Sequence, residues 1–252
     1  MKIHFSEKYK IHQREIANLI TSFDNSGEAI TPGIRNQIKK FELTEHKINV
    51  KSFKIPNFIN QVAYKFFRKS KAERSFNYAE YLIANNIGTP YPIAYATNNS
   101  SLLFKDSYYV SEHLSYDLTY RELVTNPDYP DHEKILRAFT RFTFSLHEKD
   151  IEFLDHSPGN TLLQLNNGNF HFYLVDLNRM NFRKLSFEDR MRNFSRLTPK
   201  KRMVKIMANE YAKLIDEDEK IVFEDMWEFT KQFQHKFKRK KELKKKLKFW
   251  KS

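Results

Sequence analysis

The sequence predicts an α+β protein of two lobes, a small β-rich one followed by a mostly helical one. Strand-like runs broken by turn signals occupy the chain from about Phe23 to Val110, around one strong helix. From about Asp131 the apolar residues recur at helical spacing instead. No repeat or long disordered linker interrupts the passage from one regime to the other. Strands first and helices afterwards is the α+β order, and the division falls between residues 1–113 and 114–252.

Within the first part, Glu28 to Ile30, Gln37 to Leu43 and Lys47 to Phe53 read as short strands. Thr31-Pro32-Gly33 and Thr44-Glu45-His46 are the turns between them. A helix follows from about Lys69 to Asn85 and ends at Asn86-Ile87-Gly88-Thr89-Pro90, a stop signal of Asn, Gly and Pro. Ser107 to Glu112 is a further strand. In the second part, Ile135, Phe139, Phe142 and Leu146 mark one buried helix face. Two strands flank a hairpin turn at Asn166-Asn167-Gly168-Asn169. From about Phe187 the chain reads as helical.

Composition narrows the classes. Hydrophobic residues make up 40% of the 252, enough for a real core, and 23 Phe with 13 Tyr make that core aromatic. Cysteine is absent, which excludes disulfides and thiol chemistry and fits a reducing compartment. The start, Met1-Lys2-Ile3-His4-Phe5-Ser6, is too polar for a signal peptide, and no apolar run reaches the roughly 20 residues of a spanning helix. The expectation is a soluble cytoplasmic protein, attached at most to a membrane surface. A net charge of +13 points to an anionic partner: nucleic acid, acidic lipid or a phosphorylated substrate.

The chemistry sits near the middle of the chain. Asp155-His156-Ser157-Pro158-Gly159-Asn160 is followed, after the hairpin, by Leu174-Val175-Asp176-Leu177-Asn178. An Asp, an Asn five positions on, and a second Asp at the end of an apolar strand suit phosphoryl transfer from Mg-ATP. One carboxylate faces the acceptor hydroxyl, while the amide and the second carboxylate are the kind of oxygen ligands that Mg²⁺ takes alongside substrate phosphates. The competing reading is that Asp155 and Asn160 cap local turns and Asp176 caps a strand end. Lys51 stands on a strand, one residue after Val50 and so on the opposite face, where it can meet nucleotide phosphates. Lys54 is the competing lysine. Thr31 to Asn36 offers one glycine, Gly33, for a phosphate-covering turn, with an ordinary hairpin turn as the other reading.

Taken together, these segments resemble the protein-kinase-like fold. Val50 to Lys54, Lys69 to Ser75 and Thr89 to Ala94 look more specifically like the lipopolysaccharide kinase family, the bacterial Kdo and heptose kinases. The resemblance covers about residues 25 to 195. It implies Asp155 as catalytic base, Asn160 and Asp176 as metal ligands, Lys51 as phosphate anchor, and ATP and Mg²⁺ as cofactors. It also implies a helix Glu paired with Lys51; Glu73 is the choice, with Glu80 as alternative. The sequence departs from the pattern at Phe153, where a His is usual, and at Leu177-Asn178, which lacks a Gly.

Two basic regions complete the picture. Lys65, Arg68, Lys69, Lys71 and Arg74 surround Phe66 and Phe67. The chain from about Lys236 to Lys251 is mostly basic, and an apolar stripe of Phe229, Phe233, Phe237, Leu243, Leu247 and Trp250 runs into and through it. Such a helix can lie on an anionic bilayer or pack its Phe stripe on the second lobe with its lysines in water. The expected acceptor is a sugar hydroxyl of the lipopolysaccharide core, or another anionic lipid-linked sugar, at the inner face of the inner membrane. The rival readings are a protein or small-molecule acceptor and a non-catalytic basic binding protein on the same scaffold. No specific nucleic acid is expected, because no base-stacking module appears.

Overall fold

The strand-like alternation of the first part builds one antiparallel sheet. The computed structural model describes residues 1–31, 36–44, 46–100, 103–166 and 168–249. Two compact units emerge from it: Met1–Ser115 with Tyr173–Asn178, and Tyr116–Phe172 with Arg179–Ser252. The segment that carries Asp176 therefore packs within the first unit.

The first unit contains β1 (Lys2–Phe5), α1 (Gln13–Thr21), β2 (Glu28–Thr31), β3 (Asn36–Leu43), β4 (His46–Phe53), α2 (Phe58–Phe66), α3 (Lys71–Ala84), β5 (Pro92–Asn99) and β6 (Phe104–Glu112). The sheet order is β1-β5-β6-β4-β3-β2. In β4, Ile48 and Val50 are buried, and Lys51 takes the other face, as a period of two requires. Ile48 and Val50 join Phe41, Ala94, Ala96 and Val110 in a core closed by Tyr9, Ile16, Ile20 and Phe23 from the N-terminal segment.

The strand and helix expectations from Glu28 onward match these elements, and β1 and α1 precede them. Gly27 has φ +84, and a Cβ there would lie 2.5 Å from the Phe41 ring. Its glycine is needed for the entry into β2, not for a phosphate loop. Gly33 and Glu45 lie outside the described residues.

Helix α3 shows why its ends were readable. Ser70 caps the start, accepting from the Glu73 N–H at 3.0 Å. At the other end Asn86 turns into the left-handed region at φ 55. The Asn86 N–H donates to Ile83 O and the Ile87 N–H to Leu82 O, both at 2.9 Å, closing the helix in a Schellman motif. Its buried face, Ala72, Ser75, Phe76, Ala79 and Leu82, repeats every three or four residues. Phe76 packs edge-on to His4 of β1 and against Tyr95 of β5.

The second unit holds β7 (Leu118–Thr119), α4 (Tyr120–Thr125), α5 (His132–Glu148), β8 (Ile151–Phe153), β9 (Thr161–Asn166), β10 (Asn169–Leu174, whose last two residues belong to the first unit), β11 (Met180–Phe182), α6 (Phe187–Asn193), α7 (Lys201–Ile215) and α8 (Glu219–Phe249). The strand order is β10-β9-β7, and β8 pairs antiparallel with β11. Strands β9 and β10 lie either side of Gly168, which takes φ +84; Asn167 is outside the described residues. The core gathers Ile135, Leu136 and Phe139 of α5 with Met191, Phe194, Met203, Met207, Tyr211 and Met226. Phe142 is only partly buried and stacks on Phe172.

Helix α8 divides near Phe233. Val222, Met226 and Thr230 are buried, and Phe229 packs against the core. Phe237 and Leu243 are exposed, while the side chain of Leu247 and all of Trp250 lie outside the described residues. Among the described residues, no helix is long and apolar enough to cross a membrane.

Two buried histidines of the second unit give a pH dependence. Burial pushes His147 down to about 4 and His156 down to about 3. In the unfolded chain both return to about 6.5. Between these values the unfolded state binds more protons, so stability is complete above about pH 7 and falls as pH drops from 6.5 toward 4. His156→Phe, which keeps the ring packing, should lose about 2 kcal/mol less than the wild type between pH 7 and 4.5. Urea unfolding at the two pH values checks this, and an equal loss in both proteins would show that His156 does not stay neutral in the fold.

Candidate active site

Each unit holds one part of the expected residue set. In the first, Lys51 projects from β4 and donates to Asp176 Oδ1 at 2.7 Å. In the strand register it stands between Ile38 of β3 and Tyr109 of β6, so its backbone is fixed from both sides. Its ammonium also lies 5.2 Å from the centre of the Phe53 ring.

Asp176 is delivered by two bonds from the turn after α3. The Leu174 N–H donates to Gly88 O at 2.8 Å, and Thr89 Oγ1 donates to Leu174 O at 2.8 Å. Two residues later the backbone enters the left-handed region, with Asp176 at φ 60. That conformation costs a non-glycine residue roughly 1–2 kcal/mol, and Asp is among the residues that tolerate it. It is held by Lys51 and by Asn178, whose Nδ2 donates to Asp176 Oδ1 at 2.6 Å. Asn178, a departure from the expected pattern, thus braces the carboxylate.

Lys54 is exposed, and Lys51 is the lysine that meets an expected site carboxylate. Glu73 sits in the first turn of α3 with its carboxylate 3.9 Å from Lys69. Among the described residues, the ion pair of Lys51 is with Asp176. Glu80 acts on the position across from Lys51: burial first, and then the Glu80 charge, raise the Tyr109 hydroxyl above its ordinary value. Gly33 lies outside the described residues.

In the second unit, β8 leads directly into the Asp155 loop. The Leu154 N–H donates to Arg179 O at 3.1 Å, extending the β8–β11 pairing to the loop. Asn160 Nδ2 donates to the main-chain oxygen of Asp155 at 2.8 Å. This bond closes the loop through Nδ2, so the turn-closing role does not use Oδ1, the oxygen that could take a cation. Gly159 permits a close approach, since a Cβ there would meet Arg121 Nη2 at 2.5 Å.

Two guanidinium groups take Asp155 Oδ1. Arg196 Nη1 donates to it at 2.8 Å and to Leu154 O at 2.6 Å; Arg179 Nη1 donates to it at 3.2 Å. Arg196 itself lies 5.4 Å from the centre of the Phe233 ring of α8. Asp155 is therefore a carboxylate steered through one oxygen, with Oδ2 left for other chemistry.

Behind the loop lies a buried polar chain. Asn193 Nδ2 donates to Phe153 O at 3.0 Å, which makes its Oδ1 the acceptor from His147 Nε2 at 3.2 Å. His147 Nδ1 then accepts from the Tyr211 hydroxyl at 2.8 Å, whose pKa burial pushes up to about 12. This fixes the neutral tautomer of His147. Phe153, the residue in place of the usual His, is buried against His156. His156 stacks on Phe139 and lies 3.1 Å from Thr143 Oγ1. The loop is thus anchored by the residue after Asp155.

The sequence reading missed Arg179, Arg196, Thr89 and the bracing role of Asn178. Asn178, two residues from Asp176, could have been read as a local partner. Arg196 lies 41 positions from Asp155 and carries no local signal. Among the described residues, no group of three or more His, Cys, Asp or Glu gathers as a metal cluster.

A search of curated proteins finds no match. Among solved structures the chain is similar to one described as WaaP in complex with acyl carrier protein, at 14% identity and a TM-score of 0.65. The match covers 95% of this chain and 99% of that one, which shows a shared, kinase-like fold. The model of the lipopolysaccharide kinase (Kdo/WaaP) family matches residues 36–233, a span that contains Lys51, Asp155, Asn160 and Asp176. Since that match takes in well over half of the sequence, the chain belongs to the lipopolysaccharide kinase (Kdo/WaaP) family.

Proposed function

We propose that this chain transfers the γ-phosphoryl group of ATP to a sugar hydroxyl, of Kdo or heptose, in the lipopolysaccharide inner core. The observation that carries the reading is the pairing of Lys51 with Asp176, residues 125 positions apart. Both belong to the set that the family resemblance assigns to nucleotide phosphates and their metal.

In the proposed reaction a bond forms between the acceptor oxygen and the γ-phosphorus, and the bond from that phosphorus to ADP breaks. The hydroxyl proton passes to Asp155, with Oδ2 as the oxygen left by Arg179 and Arg196. Lys51 neutralises phosphate charge. Asp176 and Asn160 offer hard oxygens of the kind Mg²⁺ prefers, and such an ion would offset charge on the phosphates. Gly33 is proposed to cover the phosphates and Glu73 to be the helix acid for Lys51, with Glu80 as its rival.

Partners follow from the same reading. The acceptor is a lipid-linked anionic sugar, and the exposed basic half of α8 is proposed to rest on an anionic inner-membrane surface. The WaaP structure contains an acyl carrier protein, so a protein of that kind is the other partner to test. A protein or small-molecule acceptor is the rival reading; an unchanged phosphate content of the core sugar in cells lacking the protein would favour it.

Asp155→Ala and Asp176→Ala should each lower phosphate transfer from labelled ATP at least about a hundredfold while both proteins stay folded, with the thermal midpoint of Asp176→Ala lowered because Lys51 loses its partner. Full activity in either variant would sink the assignment. Arg196 is a positioning residue. Arg196→Ala should lower kcat roughly tenfold or more with the acceptor KM little changed, because the base is misplaced and not removed. Arg196→Lys keeps the charge on a shorter side chain, which falls short of the position from which Nη1 meets Leu154 O and Asp155 Oδ1, and should recover only part of the rate. Steady-state kinetics decide, and a change confined to KM would count against the role.

A further inference from the structure

We infer that α2 and the turn after it form a membrane-inserting face, seated on an anionic bilayer. None of the nine residues of α2 is buried. Phe58 is 67% exposed, Ile59 77%, Phe66 58%, and Phe67, just after the helix, 82%. At about 100° per residue, Phe58, Ile59, Val62 and Phe66 fall within one arc of the helix. Tyr64 falls on the opposite side and packs on Phe104 of β6, its ring centre 5.6 Å away. Lys65 donates to Ser100 O at 3.2 Å. The helix is therefore seated on the sheet by one side and presents its apolar side outward.

Charge identifies the occupant. Residues 54–72 include Lys54, Lys65, Arg68, Lys69 and Lys71 and not one Asp or Glu. Lys54, Arg68 and Lys69 are exposed. An apolar, aromatic face rimmed by cations is what an interface between acidic headgroups and acyl chains accepts. Single exposed apolar residues are ordinary on a protein surface, whereas a contiguous set on one helix face marks an interaction site. A bilayer suits this set because it takes the rings without requiring a complementary pocket, while the cations meet its negative surface potential.

The inference deepens the membrane part of the proposed function and rests on it, but not on catalysis. Binding is therefore measured with the full chain, without nucleotide or acceptor, on vesicles of phosphatidylglycerol and phosphatidylethanolamine and on vesicles of phosphatidylcholine alone. The wild type should sediment with the anionic vesicles. The paired change Phe66→Ser with Phe67→Ser should weaken that binding at least about tenfold, since two exposed rings lose their burial. The change removes no buried side chain, so the thermal midpoint should stay in place. Unchanged binding by this variant overturns the inference for α2 and leaves α8 as the membrane contact.

The absence of cysteine allows a second readout. Phe67→Cys carries a single nitroxide label, whose collisions with oxygen relative to a water-soluble nickel complex should rise several-fold on the anionic vesicles. A label that stays as water-accessible as before overturns insertion. Immobilisation of the label by acyl carrier protein and not by vesicles would reassign the face to a protein partner.

Discussion

The pairing of Lys51 with Asp176 is the contact on which the organisation of the first unit turns. A lysine on a central strand, flanked on both sides by hydrogen-bonded neighbours, has little freedom to reach water. It needs a nearby anion, and none of its strand neighbours supplies one. The segment Tyr173–Asn178 returns to this unit and brings Asp176. The two bonds from Leu174 to Gly88 and Thr89 fix where that segment lies. The stop signal of α3 therefore has two tasks: it ends a helix, and it docks the strand that carries the carboxylate. Removing Asp176 would leave a half-buried ammonium without its partner, which costs more than the pair itself contributes.

The Asp155 loop is held by different means. Its outer side is steered by guanidinium groups, and its inner side is fixed by the buried chain from Tyr211 through His147 and Asn193 to Phe153 O. Each link in that chain has a defined donor and acceptor, so the carbonyl just upstream of the loop cannot shift without breaking a buried bond. His156 completes the anchoring by stacking into the core. A family departure at Phe153 is thus compatible with a rigid loop, because the anchoring is done by other residues.

Helix α8 joins two properties in one element. Its first half packs on the core and supplies Phe233 to Arg196, which holds Asp155. From His235 to Lys246 it is exposed and strongly basic. Of the two readings of the terminal stripe, packing holds for the first part of the helix, and surface attachment is the proposal for the second. Helix α2 shows the same combination of exposed rings and cations on a different unit.

The sequence by itself determined the strands from Glu28 to Phe53, the limits of α3 and the helical character of the second part, because these follow from local periodicity and capping chemistry. It also singled out Asp155, Asn160 and Asp176, because their spacing is a local pattern, and Lys51 through its place on a strand and the family resemblance. The elements before Phe23 were not legible: β1 is short and takes its meaning from pairing with β5, and α1 from the sheet face it covers. Only the tertiary structure decided that Asp176 meets Lys51, that Asn178 braces it, and that Arg179 and Arg196 take one oxygen of Asp155. Those contacts join residues far apart along the chain, or depend on a left-handed turn at Asp176, and neither leaves a mark in periodicity or composition.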